Sequence, residues 1–192
     1  MSRAQHLPMT AEDYLAWEDH QDRKWEFDGC GPVAMVGGTW VHSRIQANII
    51  AALNNRLRGK PCQPCGPDMR VRTAPDKYRY PDVTVVCTSI PPDTRDLTEP
   101  VVVFEVLSPS TAETDRTDKL AEYVSLPSLQ RYILVEQGRA FATVIALSPT
   151  GWTLLPAPPG STLAMPELGI EVPLAEFYEG LDLPPRPGAP AV

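Results

Sequence analysis

Apolar side chains recur every fourth residue at Ile45, Ile49, Leu53 and Leu57, the spacing of one helical face. Ser43 is a capping residue at the start of this run and Gly59 a C′ residue at its end, so the pattern predicts a first long helix. Ahead of it, Thr10 and Asp13 form a capping-box pair, and Tyr14, Leu15 and Trp17 give a short helix its apolar side. Residues 24–29 and 32–36 alternate loosely around a turn-prone stretch, as two paired short strands do. Beyond Gly59 the texture changes to β-like runs at 69–73, 82–88 and 101–107, each bounded by Pro, Gly or Asp. The third run is apolar on both faces apart from one glutamate, which predicts a central strand covered on both sides. The proline-rich stretch 88–100 has no apolar period and reads as a surface loop. A second helix is predicted over 114–125, with Leu120 and Val124 on one face and Asp118 and Glu122 elsewhere. Residues 131–136 and 140–147 flank Gln137-Gly138-Arg139 as a hairpin, and 151–155 adds another strand.

The order helix, three strands, helix, strand, with a small β unit before it and more β after it, predicts an α/β or α+β fold. Composition narrows this further. The 22 prolines among 192 residues exclude a helical bundle, because an interior proline removes a hydrogen bond and clashes with the preceding turn. Length and a 43% hydrophobic content suit a single domain over 1–183. The proline-rich tail 184–192 lacks the apolar side chains needed to pack, so it is expected to be disordered. No stretch approaches the ~18 apolar residues of a membrane span and the N-terminus carries no apolar signal region; the cytoplasm is the expected compartment. Cys62 and Cys65 form a lone C-x-x-C pair that could be half of a zinc site or a redox pair. Without a second such pair the cysteines read as ordinary small residues, Cys87 as a buried one, in a chain that folds without disulfides. The net charge of −7 argues against a protein that coats nucleic acid non-specifically, yet leaves room for a locally basic cleft or a carboxylate-bound cation.

Two carboxylates stand where a core does not favour them. Asp82 opens a strand after Tyr80-Pro81, and Glu105 lies within Val101-Val102-Val103-Phe104-Glu105-Val106-Leu107. Burying an unpaired carboxylate costs several kcal/mol; a bound cation, an Arg or Lys partner, or a group of backbone donors must compensate. Downstream, Asp115, Lys119 and Tyr123 are spaced i, i+4, i+8 and share one side of the second predicted helix. Glu26 lies between Trp25 and Phe27 in an alternating run, so its side chain leaves the strand opposite those rings and could supply a third carboxylate. His42 precedes the predicted long helix, where an imidazole can meet an anion or close the cap.

Taken in order, Thr10-Ala-Glu-Asp-Tyr14, Trp25-Glu26-Phe27-Asp28-Gly29, the lone His42, Tyr80-Pro81-Asp82, Phe104-Glu105-Val106-Leu107-Ser108-Pro109-Ser110-Thr111 and Lys119 to Tyr123 resemble the Uma-two family of bacterial restriction-endonuclease-like proteins, within the PD-(D/E)XK nuclease superfamily. The resemblance implies a restriction-endonuclease-like core, a central mixed sheet flanked by helices. It makes Asp82 and Glu105 ligands of Mg²⁺ or Mn²⁺, puts Lys119 at the reacting phosphate, and leaves Glu26 and His42 as further candidates for the site. The activity it implies is metal-dependent hydrolysis of DNA, by a protein that as a default is a homodimer. One position departs: the superfamily's usual lysine, two residues after the glutamate, is Leu107 here, and a lysine on the following helix takes its place. That departure keeps open a binding module that retains the fold without the chemistry; a structural or redox protein centred on Cys62 and Cys65 is a second alternative.

Overall fold

A computed structural model describes residues 9–35 and 37–183; the tail 184–192 lies outside them. The chain opens with α1 (Ala11–Glu18) and the strands β1 (Trp25–Phe27) and β2 (Pro32–Ala34). The helix α2 (Trp40–Leu57) follows, then β3 (Gln63–Cys65), β4 (Arg70–Ala74), β5 (Lys77–Arg79), β6 (Val83–Val86), β7 (Asp96–Leu97) and β8 (Pro100–Leu107). Two short helices, α3 (Ala112–Arg116) and α4 (Asp118–Val124), precede β9 (Arg131–Glu136), β10 (Ala142–Ser148) and β11 (Gly151–Ala157). The hairpin β12 (Thr162–Met165) and β13 (Ile170–Pro173) and a 3-10 turn, Leu174–Tyr178, complete the described chain. None of its helices is long and apolar enough to cross a membrane.

The strands form two main sheets. The larger runs β11-β10-β9-β8-β6-β3, with β8 and β9 parallel and its other neighbours antiparallel. The smaller runs β2-β1-β5-β4-β7. As its run of apolar residues on both faces, interrupted by Glu105 alone, predicts, β8 is an interior strand. Val102, Phe104 and Val106 pack with Ile45, Ile49 and Leu53 of α2, while Val103 and Leu107 pack with Tyr123 of α4 and Tyr132 of β9. The capping box of α1 forms as expected, the Asp13 amide donating to Thr10 Oγ1 at 3.1 Å. The β1–β2 pairing also forms.

Four expectations are corrected. The long helix begins at Trp40, capped by Thr39 rather than Ser43, so His42 lies in its first turn; Val41, four residues before Ile45 and packed against the core, extends the apolar period into this turn, where Ser43 offered a competing cap. The second helix is broken at Thr117, whose hydroxyl bonds back to the Glu113 carbonyl at 2.8 Å and whose backbone leaves the helical region (φ −120°, ψ −83°), the competition that a β-branched hydroxyl residue offers a helix. The stretch 88–100 contains β7, anchored by buried Leu97 and by the Arg70–Asp96 pair at 2.6 Å. Finally, Cys62 is bonded to Cys87. The antiparallel register that sets Gln63 opposite Val86 puts the next residues out, both cysteines, face to face, while Cys65 is free.

Candidate active site

The chain leaves the smaller sheet at Arg79, the end of β5, and enters the larger at Val83; Tyr80-Pro81-Asp82 is the step between them. Val83 pairs with Phe104, so Asp82, directly before β6, lies near Glu105 of β8, and both residues line one cleft. The Asp82 carboxylate is held by three neighbours: the Val106 amide donates to Oδ2 at 2.7 Å, Gln46 Nε2 donates to Oδ1 at 3.1 Å, and His42 Nε2 stands 3.3 Å from Oδ2. Both α2 residues reach it from the helix's first two turns. Asp82, His42 and Val106 line a cleft of about 420 Å³ together with Glu26, Arg79, Glu105, Lys119 and the Ser108–Thr111 turn.

Lys119 enters from the first turn of α4 and is buried. Its Nζ lies 3.0 Å from Glu26 Oε1, 3.1 Å from Asp115 Oδ1 and 3.3 Å from Glu105 Oε1. Tyr123, one turn further along α4, directs its hydroxyl to the same Glu105 oxygen at 3.3 Å. Glu105 Oε2 accepts no hydrogen bond among the described residues. Glu26 is fixed from its other side by the Tyr80 amide at 3.2 Å and the Arg79 guanidinium at 3.2 Å. Arg79 in turn grips Glu122 through two bonds of 2.8 and 2.6 Å, the fork-to-fork arrangement that a planar guanidinium makes.

Negative charge exceeds positive charge here, and the titrations follow. Burial pushes the Glu105 carboxyl well up; Lys119 opposes the shift, while Asp115, Asp82 and Glu26 add to it. Burial also raises Asp115, against the pull of Lys119. For Lys119, burial alone would lower the pKa, but Glu105, Glu26 and Asp115 outweigh it and hold the ammonium protonated above its ordinary range. Burial likewise acts to lower His42, and the bond and charge of Asp82 overcome it, so its pKa is raised.

Each of the five residues singled out from the sequence, Glu26, His42, Asp82, Glu105 and Lys119, lines this one cleft. The geometry divides them: Asp82 and His42 form one contact, and Glu26 and Glu105 meet through Lys119. Arg79, Glu122 and Gln46 were not singled out. Arg79 directly precedes the Tyr80-Pro81-Asp82 step, and Glu122 stands one turn beyond Lys119, but an arginine on a short strand and a glutamate on a short helix are ordinary surface residues until the partner is known. Leu107, at the position of the usual lysine, is buried among Val71, Val86, Val103 and Leu134, so that end of the face is apolar and the ammonium arrives from α4 instead. Among the described residues no group of three His, Cys, Asp or Glu side chains is arrayed to hold a metal ion. The oxygen donors of Asp82 and Glu105, with one Glu105 oxygen unengaged and a surplus of carboxylates around it, are of the chemical kind that hard divalent cations take.

Residues 11–175 match the sequence profile of the Uma2 family, described as "Putative restriction endonuclease". Two uncharacterized proteins of Synechocystis sp. are related: slr1290 is 32% identical over 178 residues, 90% of this chain and 93% of that protein, and sll1609 is 31% identical over 135 residues, 67% of this chain and 75% of that protein. Among solved structures, the crystal structure of a "putative nuclease belonging to DUF820" from Anabaena variabilis superposes with a TM-score of 0.73 over 88% of this chain and 97% of that one, at 17% identity. At that identity the likeness establishes a shared α+β fold. With the profile matched along most of its length and one relative matched nearly end to end, the chain belongs to the Uma2 family.

Proposed function

We propose that the cleft between the two sheets is the active site of a metal-dependent endonuclease that hydrolyses DNA phosphodiester bonds. The observation that carries this reading is the convergence on one cleft of Asp82, directly before β6, and Glu105 of the neighbouring strand β8, with Glu105 Oε2 free of any hydrogen bond among the described residues. Mg²⁺ characteristically rests on one or two carboxylates and completes its shell with water and phosphate oxygens, so two side chains suffice. When bound at these carboxylates, Mg²⁺ or Mn²⁺ would neutralise the scissile phosphate and lower the pKa of a bound water. The chain's own residues do the rest. Val106 N–H and Gln46 fix the Asp82 carboxylate, Lys119 and Tyr123 fix one oxygen of Glu105, and the His42 ring stands beside Asp82, whose bond and charge raise its pKa. Lys119 is a permanent positive charge next to the reacting centre, able to stabilise charge that develops on the phosphate. Family membership supports the same reading, and we place the activity in the cytoplasm, in a homodimer.

The test is calorimetric Mn²⁺ titration together with single-turnover cleavage of a DNA duplex by wild type and by Asp82→Ala/Glu105→Ala. Wild type is expected to bind Mn²⁺ and cleave; the double variant should lose measurable Mn²⁺ affinity and at least ~10² in rate. Equal Mn²⁺ affinity in both proteins would put the metal elsewhere. Mn²⁺ and DNA binding without cleavage would favour a binding module, the reading that the absence of a lysine at Leu107 keeps in view.

A further inference from the structure

Lys119 is unusual less for its burial than for its company. An ammonium carries three protons, and three carboxylates from three separate elements meet this one: Glu26 from β1, Glu105 from β8 and Asp115 from α3, at 3.0, 3.3 and 3.1 Å. Of these side chains only Asp115 belongs to a helix next to α4, so no local helical geometry explains the gathering. Asp115 is 1% exposed, and its Oδ1, the oxygen that faces Lys119, has no hydrogen-bond donor aligned with it among the described residues. Three formal negative charges around one positive charge leave the group under-compensated. Arg79 touches Glu26 at 3.2 Å but is already committed to Glu122. Such a set of oxygens is what a divalent cation uses, apart from distance: ligand oxygens lie ~2.1 Å from Mg²⁺, so each carboxylate would have to move inward by about 1 Å.

We propose that the Lys119 ammonium is a built-in substitute for a second metal ion, filling a three-carboxylate cation position next to Asp82 and Glu105 and thereby restricting the site to a single divalent ion. The proposal rests on the metal reading of Asp82 and Glu105 given above. The tethered ammonium has the advantage over a free ion because it is covalently held in place and, although hydrated itself, gives up its water at far lower cost than Mg²⁺, which dehydrates reluctantly. Glu105 is the bridge, with Oε1 on Lys119 and Oε2 free to face the bound ion. In a two-metal site two cations clamp the attacking and leaving oxygens; here the second cation is an amino-acid side chain.

Counting ions tests this without measuring activity. Mn²⁺ stoichiometry is determined on the full chain by calorimetry and by electron paramagnetic resonance for wild type, Lys119→Met and Lys119→Arg; Met preserves the buried stem while removing the charge. Wild type and Lys119→Arg are expected to bind one ion, and Lys119→Met two, with spin–spin broadening of the Mn²⁺ signal from the closely spaced pair. Should Lys119→Met unfold in chelator, recovery of its circular dichroism on addition of Mn²⁺ with two ions bound supports the proposal, and failure to recover overturns it. Two ions in wild type, or one or none in a folded Lys119→Met, likewise overturn it while leaving the metal reading intact. No ion in wild type removes the metal reading itself, and the proposal with it.

Discussion

Glu122 shows how much a buried carboxylate depends on its partners. Burial acts to raise its pKa, yet the bonds and charge of Arg79, with Lys77 and Thr73, bring it below the ordinary range. A carboxylate depressed in the folded state contributes stability that is complete above its unfolded pKa of ~4.3 and is lost as pH falls through the folded value. Glu122→Gln should therefore destabilise the protein at neutral pH by about 2 to 3 kcal/mol, somewhat less than a fully orphaned buried charge because Arg79 retains Glu26. Denaturant melts at a series of pH values are expected to show the difference intact at about pH 6 and narrowing below about pH 4.3; a constant difference would mean that packing rather than charge is responsible. At this scale the sequence was most readable where chemistry conflicted with context. A glutamate among valines and an aspartate after proline at a strand start declared themselves, whereas Arg79 and Glu122 did not, because their pairing is created by elements distant in the chain.

Strand alternation decides what β8 can carry. Val102, Phe104 and Val106 serve the α2 face; Val103, Glu105 and Leu107 serve the other, where polar character ends between Glu105 and the apolar group around Leu107. Restoring the superfamily's lysine by Leu107→Lys would place an ammonium among Val71, Val86 and Leu134. We expect a loss of about 2 to 4 kcal/mol in thermal or urea unfolding, and no recovery of cleavage when this change is combined with Lys119→Ala. An unchanged melting point would show that the lysine finds the carboxylates from that position too. The elements were legible in proportion to their periodicity. The interior of α2, the central strand β8 and the β9–β10 hairpin all announce themselves, while β3, β5 and β7, of two or three residues each, are too short for any pattern and exist through their neighbours. The joint at Thr117 was hidden because the Asp115, Lys119 and Tyr123 spacing is just as good on one helix as on two.

For the molecule as a whole, the site is where two sheets are joined. Glu26 belongs to the smaller sheet and Glu105 to the larger, with Lys119 between them; Arg79, ending a strand of the smaller sheet, holds Glu122 of the helix packed on the larger. A protein fastened through such contacts should unfold as one unit over its two described sheets. Trp17 and Trp25 report on the smaller sheet's cluster and Trp152 on the larger. In a Trp40→Phe background, which removes the exposed fourth tryptophan, fluorescence of Trp152→Phe and of Trp17→Phe/Trp25→Phe is expected to give urea midpoints that coincide with each other and with far-ultraviolet circular dichroism. Separated midpoints would mean that the sheets melt independently.

The same joint has a consequence for how the site comes into being. Asp82 and the Val106 amide that holds it are 24 residues apart, on strands that pair directly, whereas Glu26 and Arg79 are separated by 53 residues and require the smaller sheet to close. Short loops close at lower entropic cost and contacts of low sequence separation form sooner. By the same measure the 14-residue separation of Glu105 and Lys119 is the least costly of these to close, so the expected order brings the ammonium to Glu105 first, Asp82 beside them next and Glu26 last. The buried carboxylate of β8 is thereby compensated from the outset by a residue close to it in the chain, and the joint between the sheets is the step that completes the site.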